Sequence, residues 1–207
     1  MSAEIFTIGH STHSIEVFIG LLRQHQMTMI CDVRSIPYSR YNPQYNRENL
    51  KRSLTERNIV YVFMGRELGA RSDNPQCYRH GQVQYERLAR EPRFIEGIRW
   101  LRTEMNTHRI ALLCAEKEPL ACHRTILVCR NLRANNLEIQ HILEDGTLED
   151  HRSIEKRLVQ LYHIEPDMFH NDAQCIEEAY DKQAENIAYV NKDMLAKEEQ
   201  LIPIVVK

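Results

Sequence analysis

The 207-residue chain lacks the features that mark several large protein classes. No apolar run approaches the roughly 18 residues a membrane-spanning helix needs. The opening Met1-Ser2-Ala3-Glu4-Ile5 has no basic start leading into an apolar stretch, which argues against a secretory signal. Six cysteines are too few for a disulfide scaffold of this length, so reduced thiols in the cytoplasm are expected. There is no internal repeat and no low-complexity tract. The glycines and lysine of a Walker loop or a dinucleotide-binding turn are also missing. Lysine itself is scarce over most of the chain: of the 23 cations in residues 1–163, only Lys51, Lys117 and Lys156 are not arginine.

What is present is unevenly distributed. Residues 1–163 carry 23 Lys and Arg against 19 Asp and Glu, and residues 164–207 carry 4 against 10, so the formal net charge of −2 conceals a basic part and an acidic part. Arginine offers a planar fork of donors suited to carboxylate and phosphate, whereas lysine is a point charge. The arginine excess therefore suggests anion recognition in the first part. The composition, 43% hydrophobic and 27% charged, is that of a soluble globular protein.

Periodicity predicts strands over 4–8, 27–33, 59–63, 109–114 and 138–143. Helices are predicted from about Ser14 to Gln26, over 47–57 and 93–106, from Pro119 to about 135, and over 148–163 and 172–199. The irregular stretch 64–84 is long enough to be a lid or binding loop. Alternating strands and helices imply an α/β fold: one three-layer domain over 1–163 with a mostly parallel sheet of about five strands, followed by an acidic, mostly helical extension over 164–207. The apolar end, Ile202 to Val206, would prefer burial as an edge strand in a partner. A homodimer through the extension is one expectation.

Ligands of parallel sheets bind beyond the carboxyl ends of the strands, and those ends are chemically rich. Gly9-His10-Ser11-Thr12 offers backbone N–H groups and hydroxyls to an anion. Asp32 and Arg34, two apart in an extended segment, point the same way and can pair; Ser35, Arg40 and Tyr38, Tyr41 and Tyr45 follow. The richest stretch is Cys114-Ala115-Glu116-Lys117, leading to Cys122-His123-Arg124. Three readings compete there. In the first, Cys114 or Cys122 is a thiolate nucleophile with His10 or His123 as base and Glu116 as acid or orienting group. In the second, Cys114, Cys122, His123 and His10 gather around zinc or iron. The C-x7-C-H spacing matches no zinc signature, however, so no metal ligands are assigned. In the third, the cysteines are small buried hydrophobes within a polar network.

These three motifs, in this order and spanning residues 5–146, resemble the bacterial and archaeal domain-of-unknown-function family 488. The resemblance implies a single α/β domain with the motifs on neighbouring strand ends. It supplies no reaction, although some members carry names hinting at DNA repair. A weaker likeness is to rhodanese-like domains, which also place Asp-Val-Arg after an early strand. Those domains wrap a short cysteine-led loop around an anion, whereas here the first arginine after Cys114 is Arg124.

The expected function is an enzyme acting on a phosphorylated or nucleotide-like anion. Cys114, Glu116, His10, Cys122 and His123 would be catalytic. Gly9, Ser11, Thr12, Asp32, Arg34, Ser35, Arg40, Lys117 and Arg124 would bind the substrate. Alternatives are a nucleic-acid-binding or repair-associated module and a cysteine-based redox or sulfur-transfer protein. No cofactor follows from the residues, and a membrane partner is not expected.

Overall fold

The computed structural model describes residues 3–133, 137–166 and 171–201. In chain order the elements are β1 (Ala3–Gly9), α1 (Ile15–Gln24), β2 (Met29–Asp32), α2 (Arg47–Thr55), β3 (Val60–Phe63), a small hairpin of β4 (Tyr78–Arg79) and β5 (Gln82–Val83), α3 (Tyr85–Leu88), α4 (Pro92–Glu104) and β6 (Ile110–Cys114). A helical segment Arg124–Cys129 continuing as α5 (Arg130–Leu132) follows, then β7 (Leu137–Ile142), β8 (Leu148–Asp150), α6 (His151–Leu161), α7 (Asp172–Ile187) and α8 (Lys192–Leu201). The main sheet has six strands in the order β3-β2-β6-β1-β7-β8. Five are parallel, and β8 closes the edge antiparallel to β7.

The sheet is covered on both faces, and the period-two alternation of its strands shows how. In β6, Ile110, Leu112 and Cys114 face one core, with Phe94 and Leu101 of α4, Ile154 and Leu158 of α6, and Tyr180 of α7. Ala111 and Leu113 face the other, with Phe18 and Leu22 of α1 and Leu50 and Leu54 of α2. The helix starts are set by polar caps. Ser14 accepts from the Val17 N–H at the head of α1, Asp150 from Arg152 and Ser153 at the head of α6, and Asn171 forms a reciprocal capping box with Gln174 on α7.

Four expectations are corrected. Pro119 opens only a 3₁₀ turn, Pro119–Ala121, because the Glu118 side chain caps Leu120 and the chain re-extends at Cys122. The helix after it begins at Arg124, with a π-type first segment. Leu148–Asp150 is a sixth strand rather than the start of a helix, since the Asp150 cap fixes the helix start at His151. The stretch 64–84 is no loose lid: Leu68, Cys77 and Val83 are buried in the core. The helix over 172–199 is broken at Ala188, whose backbone is extended, and Val190 bridges to Gln82.

The acidic extension is helical and packs on the domain through Ala179, Tyr180 and Ala184. Its acids meet the domain's arginines: Arg130 pairs with Glu177 and Asp181, and Arg133 with Glu177. Part of the arginine excess thus balances the extension. Ile202 to Val206, expected to seek burial, lie outside the described residues. Among the described residues, no helix is long and apolar enough to cross a membrane.

Candidate functional site

β1, β2 and β6 lie side by side, so their carboxyl ends deliver three motifs to one place. The sheet ladder continues past the strands: the His10 N–H donates to the Cys114 carbonyl at 2.9 Å and the Ser11 N–H to the Ala115 carbonyl at 2.9 Å. These amides are therefore spent on the neighbouring loop, and the Gly9–Thr12 turn is not the open anion cradle expected from its residue types. Gly9 is required by this approach, because a Cβ there would sit 1.9 Å from the Glu116 carbonyl oxygen.

Beyond this contact lies a cleft of about 430 Å³, with His10, Ser11, Thr12, Arg34, Glu116 and Lys117 in its lining. On its β2 side, Arg34 grips Asp32 in a two-pronged pair, Nε to Oδ1 at 2.9 Å and Nη2 to Oδ2 at 2.6 Å. Tyr61 donates to the same carboxylate at 2.7 Å, and Arg34 Nη2 also donates to the Tyr45 carbonyl. Arg34 Nη1 lies 3.3 Å from His10 Nε2, so the ring accepts there, while Nδ1 donates to the Ser11 carbonyl. His10 stacks on Tyr45 with centroids 4.1 Å apart.

Burial is the main cause that lowers the His10 pKa to about 4, and the Arg34 charge acts in the same direction. The ring is neutral in the folded protein and gains a proton on unfolding at any pH between about 4 and 6.5. Its stabilising contribution is complete above that window and is lost as pH falls through it. Urea titrations should show about 2 kcal/mol less stability at pH 5 than at pH 7 from this residue alone. A His10→Gln variant should lack that increment; an unchanged pH slope would remove His10 as its source.

The third motif gathers behind the Glu116 wall. Cys114 Sγ is 3.6 Å from His123 Nδ1, and Cys122 Sγ is 3.1 Å from Glu116 Oε2 and 4.0 Å from His123 Nδ1. His123 Nε2 donates to the Val33 carbonyl at 3.0 Å, which turns Nδ1 toward the sulfurs. Both cysteines and His123 are buried. Burial raises the Cys114 thiol well above its usual range. Burial pushes Cys122 the same way, but the Cys114 thiol, the Arg124 charge and His123 outweigh it and hold Cys122 well below. Burial would lower His123, but the neighbouring Cys122 and Glu116 leave it raised; Glu116 is raised by burial and by Cys122.

Arg124 does not reach the cleft. It is fully buried, donating to the Glu116 carbonyl at 2.6 Å, the Lys117 carbonyl at 3.2 Å and Thr7 Oγ1 at 3.4 Å. It positions the loop rather than a ligand. Beneath it a polar thread runs on: Thr7 Oγ1 to His141 Nδ1 (2.8 Å), His141 Nε2 to His151 Nδ1 (2.9 Å), His151 Nε2 to the Tyr180 hydroxyl (2.9 Å), and that hydroxyl to Glu155 (3.1 Å).

Of the other expected ligands, Asp32 is buried behind Arg34 and orients it. Ser35 faces a second cleft of about 670 Å³, beside Gly65, Arg66 and Arg71, because successive residues of an extended segment point apart. Arg40 is exposed and lines neither cleft. Tyr45 and Tyr61, whose hydroxyls burial raises above the usual phenol range, complete the His10–Arg34 network. Residue type could not show that it is the Tyr45 carbonyl that holds Arg34. The register sets Phe63 opposite Asp32 and Tyr61 opposite Ile30, so the Tyr61 hydroxyl reaches Asp32 on the diagonal, a contact the sequence does not signal.

The fold and site define an α/β protein with a polar, cysteine- and histidine-backed cleft at the carboxyl edge of its sheet. The family model described as "Domain of unknown function DUF488" matches residues 14–130, and the chain belongs to that family. No curated protein and no solved structure matches the chain.

Proposed function

We propose that the protein is an enzyme acting on a small phosphorylated or nucleotide-like anion in the cleft between the His10, Arg34 and Glu116 segments. The observation that carries this reading is the lining itself: Ser11, Thr12, Lys117, Arg34, His10 and Glu116 meet around one cavity. Among the described residues, the Lys117 ammonium pairs with Glu144, at 3.0 Å on the surface. Such exposed pairs are worth little and exchange readily for a better-placed anion. His10 and Glu116 are the groups at the cleft able to give or take a proton. Tyr38 supplies an exposed ring at the rim for a base or sugar. A reducing, cytoplasmic setting belongs to the same reading, since none of the six cysteines, all within the described residues, forms a disulfide.

A thermal-shift panel of nucleoside mono-, di- and triphosphates and sugar phosphates tests it. At least one should raise the melting temperature. Lys117→Ala should weaken that ligand by roughly tenfold, the worth of one charge-assisted contact. Lys182→Ala, which removes an ion pair on α7, should not. No stabilising member of the panel, or equal effects of the two variants, would overturn the reading.

A further inference from the structure

We propose that Cys114, Cys122, His123 and Glu116 together form a binding site for a zinc-like divalent metal ion in the inner wall of the cleft. The two sulfurs and His123 Nδ1 all lie within 4.8 Å of one another, and Glu116 Oε2 is 3.1 Å from Cys122 Sγ. With zinc bonds of about 2.3 Å to sulfur and about 2.0 Å to nitrogen or oxygen, the edges of a tetrahedron are roughly 3.5–3.8 Å. The observed 3.6 and 4.0 Å lie close to those edges, so the two cysteines and His123 form the compact part of the set; Glu116, 3.1 Å from Cys122 Sγ, would turn in to complete it.

The donor set is also right in kind. Each of the four side chains offers a lone pair once its proton is lost, and a cation can replace those protons. The remaining ring nitrogen of His123 donates to the Val33 carbonyl, the outer contact that fixes a ligating imidazole. Cys122 Sγ accepts the Arg124 N–H at 3.4 Å. Charge closes as well: two thiolates, one carboxylate, a divalent ion and the buried Arg124 guanidinium sum to zero. All four ligands lie between the last residue of β6 and the Arg124 segment, so one short stretch of chain chelates the ion.

The other Cys–His grouping among the described residues, Cys129, His141 and His151, differs. Its ring nitrogens are committed to Thr7, to each other and to Tyr180.

Three of the proposed ligands lie behind the cleft, and Glu116 lies in its lining. Glu116 is thus the ligand a substrate oxygen would displace, leaving the two-cysteine, one-histidine arrangement of a catalytic zinc site. That use of the ion rests on the cleft reading above; binding of the ion does not.

The test is metal analysis of the full-length protein purified without chelators. About one zinc per chain is expected, at least tenfold less in Cys122→Ser, and an unchanged amount in Cys129→Ser. Glu116→Gln should keep the ion but lose it faster to a chelator. Because a cysteine variant can fail to fold, cobalt titration of the wild-type protein gives a second readout: thiolate-to-cobalt charge-transfer absorption with tetrahedral visible bands. Wild-type protein with neither stoichiometric zinc nor that absorption overturns the proposal, as does a Cys114–Cys122 disulfide in fresh protein. Metal without anion binding would sink only the cleft reading, and anion binding without metal only this one.

Discussion

Gly9→Ala should destabilise the protein by about 3 kcal/mol, although it adds a single methyl group. The added carbon would fall 1.9 Å from the Glu116 carbonyl oxygen and 2.7 Å from its carbon, both backbone atoms. Backbone yields far less readily than the end of a flexible side chain, so this lies at the upper end of the cost of overpacking. For a chain of this length the melting temperature should fall by roughly 6–12 °C. The loop that must retreat carries Glu116 and Lys117, so anion binding and metal retention should fall with stability. Gly20→Ala is the control, because nothing lies within 4 Å of a Cβ there. A Gly9→Ala protein that melts with the wild type would mean that the loop has room the structure does not show.

Arg124→Met should be as damaging or worse, with a loss of about 3–5 kcal/mol, the range for removing one partner of a buried charged network. Methionine refills much of the apolar stem, so what the variant loses is chiefly the guanidinium. Without it the Glu116 and Lys117 carbonyls lose their donors, and Thr7 loses the N–H directed at it. The positive charge that helps hold Cys122 below its ordinary thiol range goes too. The fall should appear as a lower urea midpoint with an unchanged slope, since the surface exposed on unfolding hardly changes. Arg124→Lys should recover only part of it, because one ammonium cannot span both carbonyls and the Thr7 hydroxyl. A loss below about 1 kcal/mol for Met would show that the loop holds itself in place.

Much of this architecture was legible in the residues. The five parallel strands were visible from their apolar runs or alternation, four of them ended by a polar motif, and the Asp32–Arg34 pair followed from their spacing. The brief edge strand β8 was not, since three residues carry too little pattern to outweigh the helix beside them. Nor was the inward turn of Arg124. Residue type offered a cation for a ligand, while the carbonyls that claim it belong to a loop placed by the sheet. The arginines that meet the acidic extension were unreadable for a similar reason: Arg130 and Glu177 are far apart in sequence and are joined by the docking of α7.

The polar thread beneath the site has a direction. A guanidinium can only give hydrogen bonds and a carboxylate can only take them, and these are the two ends. Arg124 Nε–H gives to Thr7, which leaves the Thr7 hydroxyl able to give its hydrogen to His141 Nδ1, and the Glu155 end requires that it does. His141 must then give from Nε2, His151 must receive at Nδ1 and give from Nε2, and the Tyr180 hydrogen goes to Glu155. Every hydrogen along the line is assigned by its termini, and both buried imidazoles are locked as the Nε2–H tautomer. Reversing one link between the rings would require reversing the next, so the Arg124 anchor of the Glu116 loop and helix α7 share a single arrangement of protons.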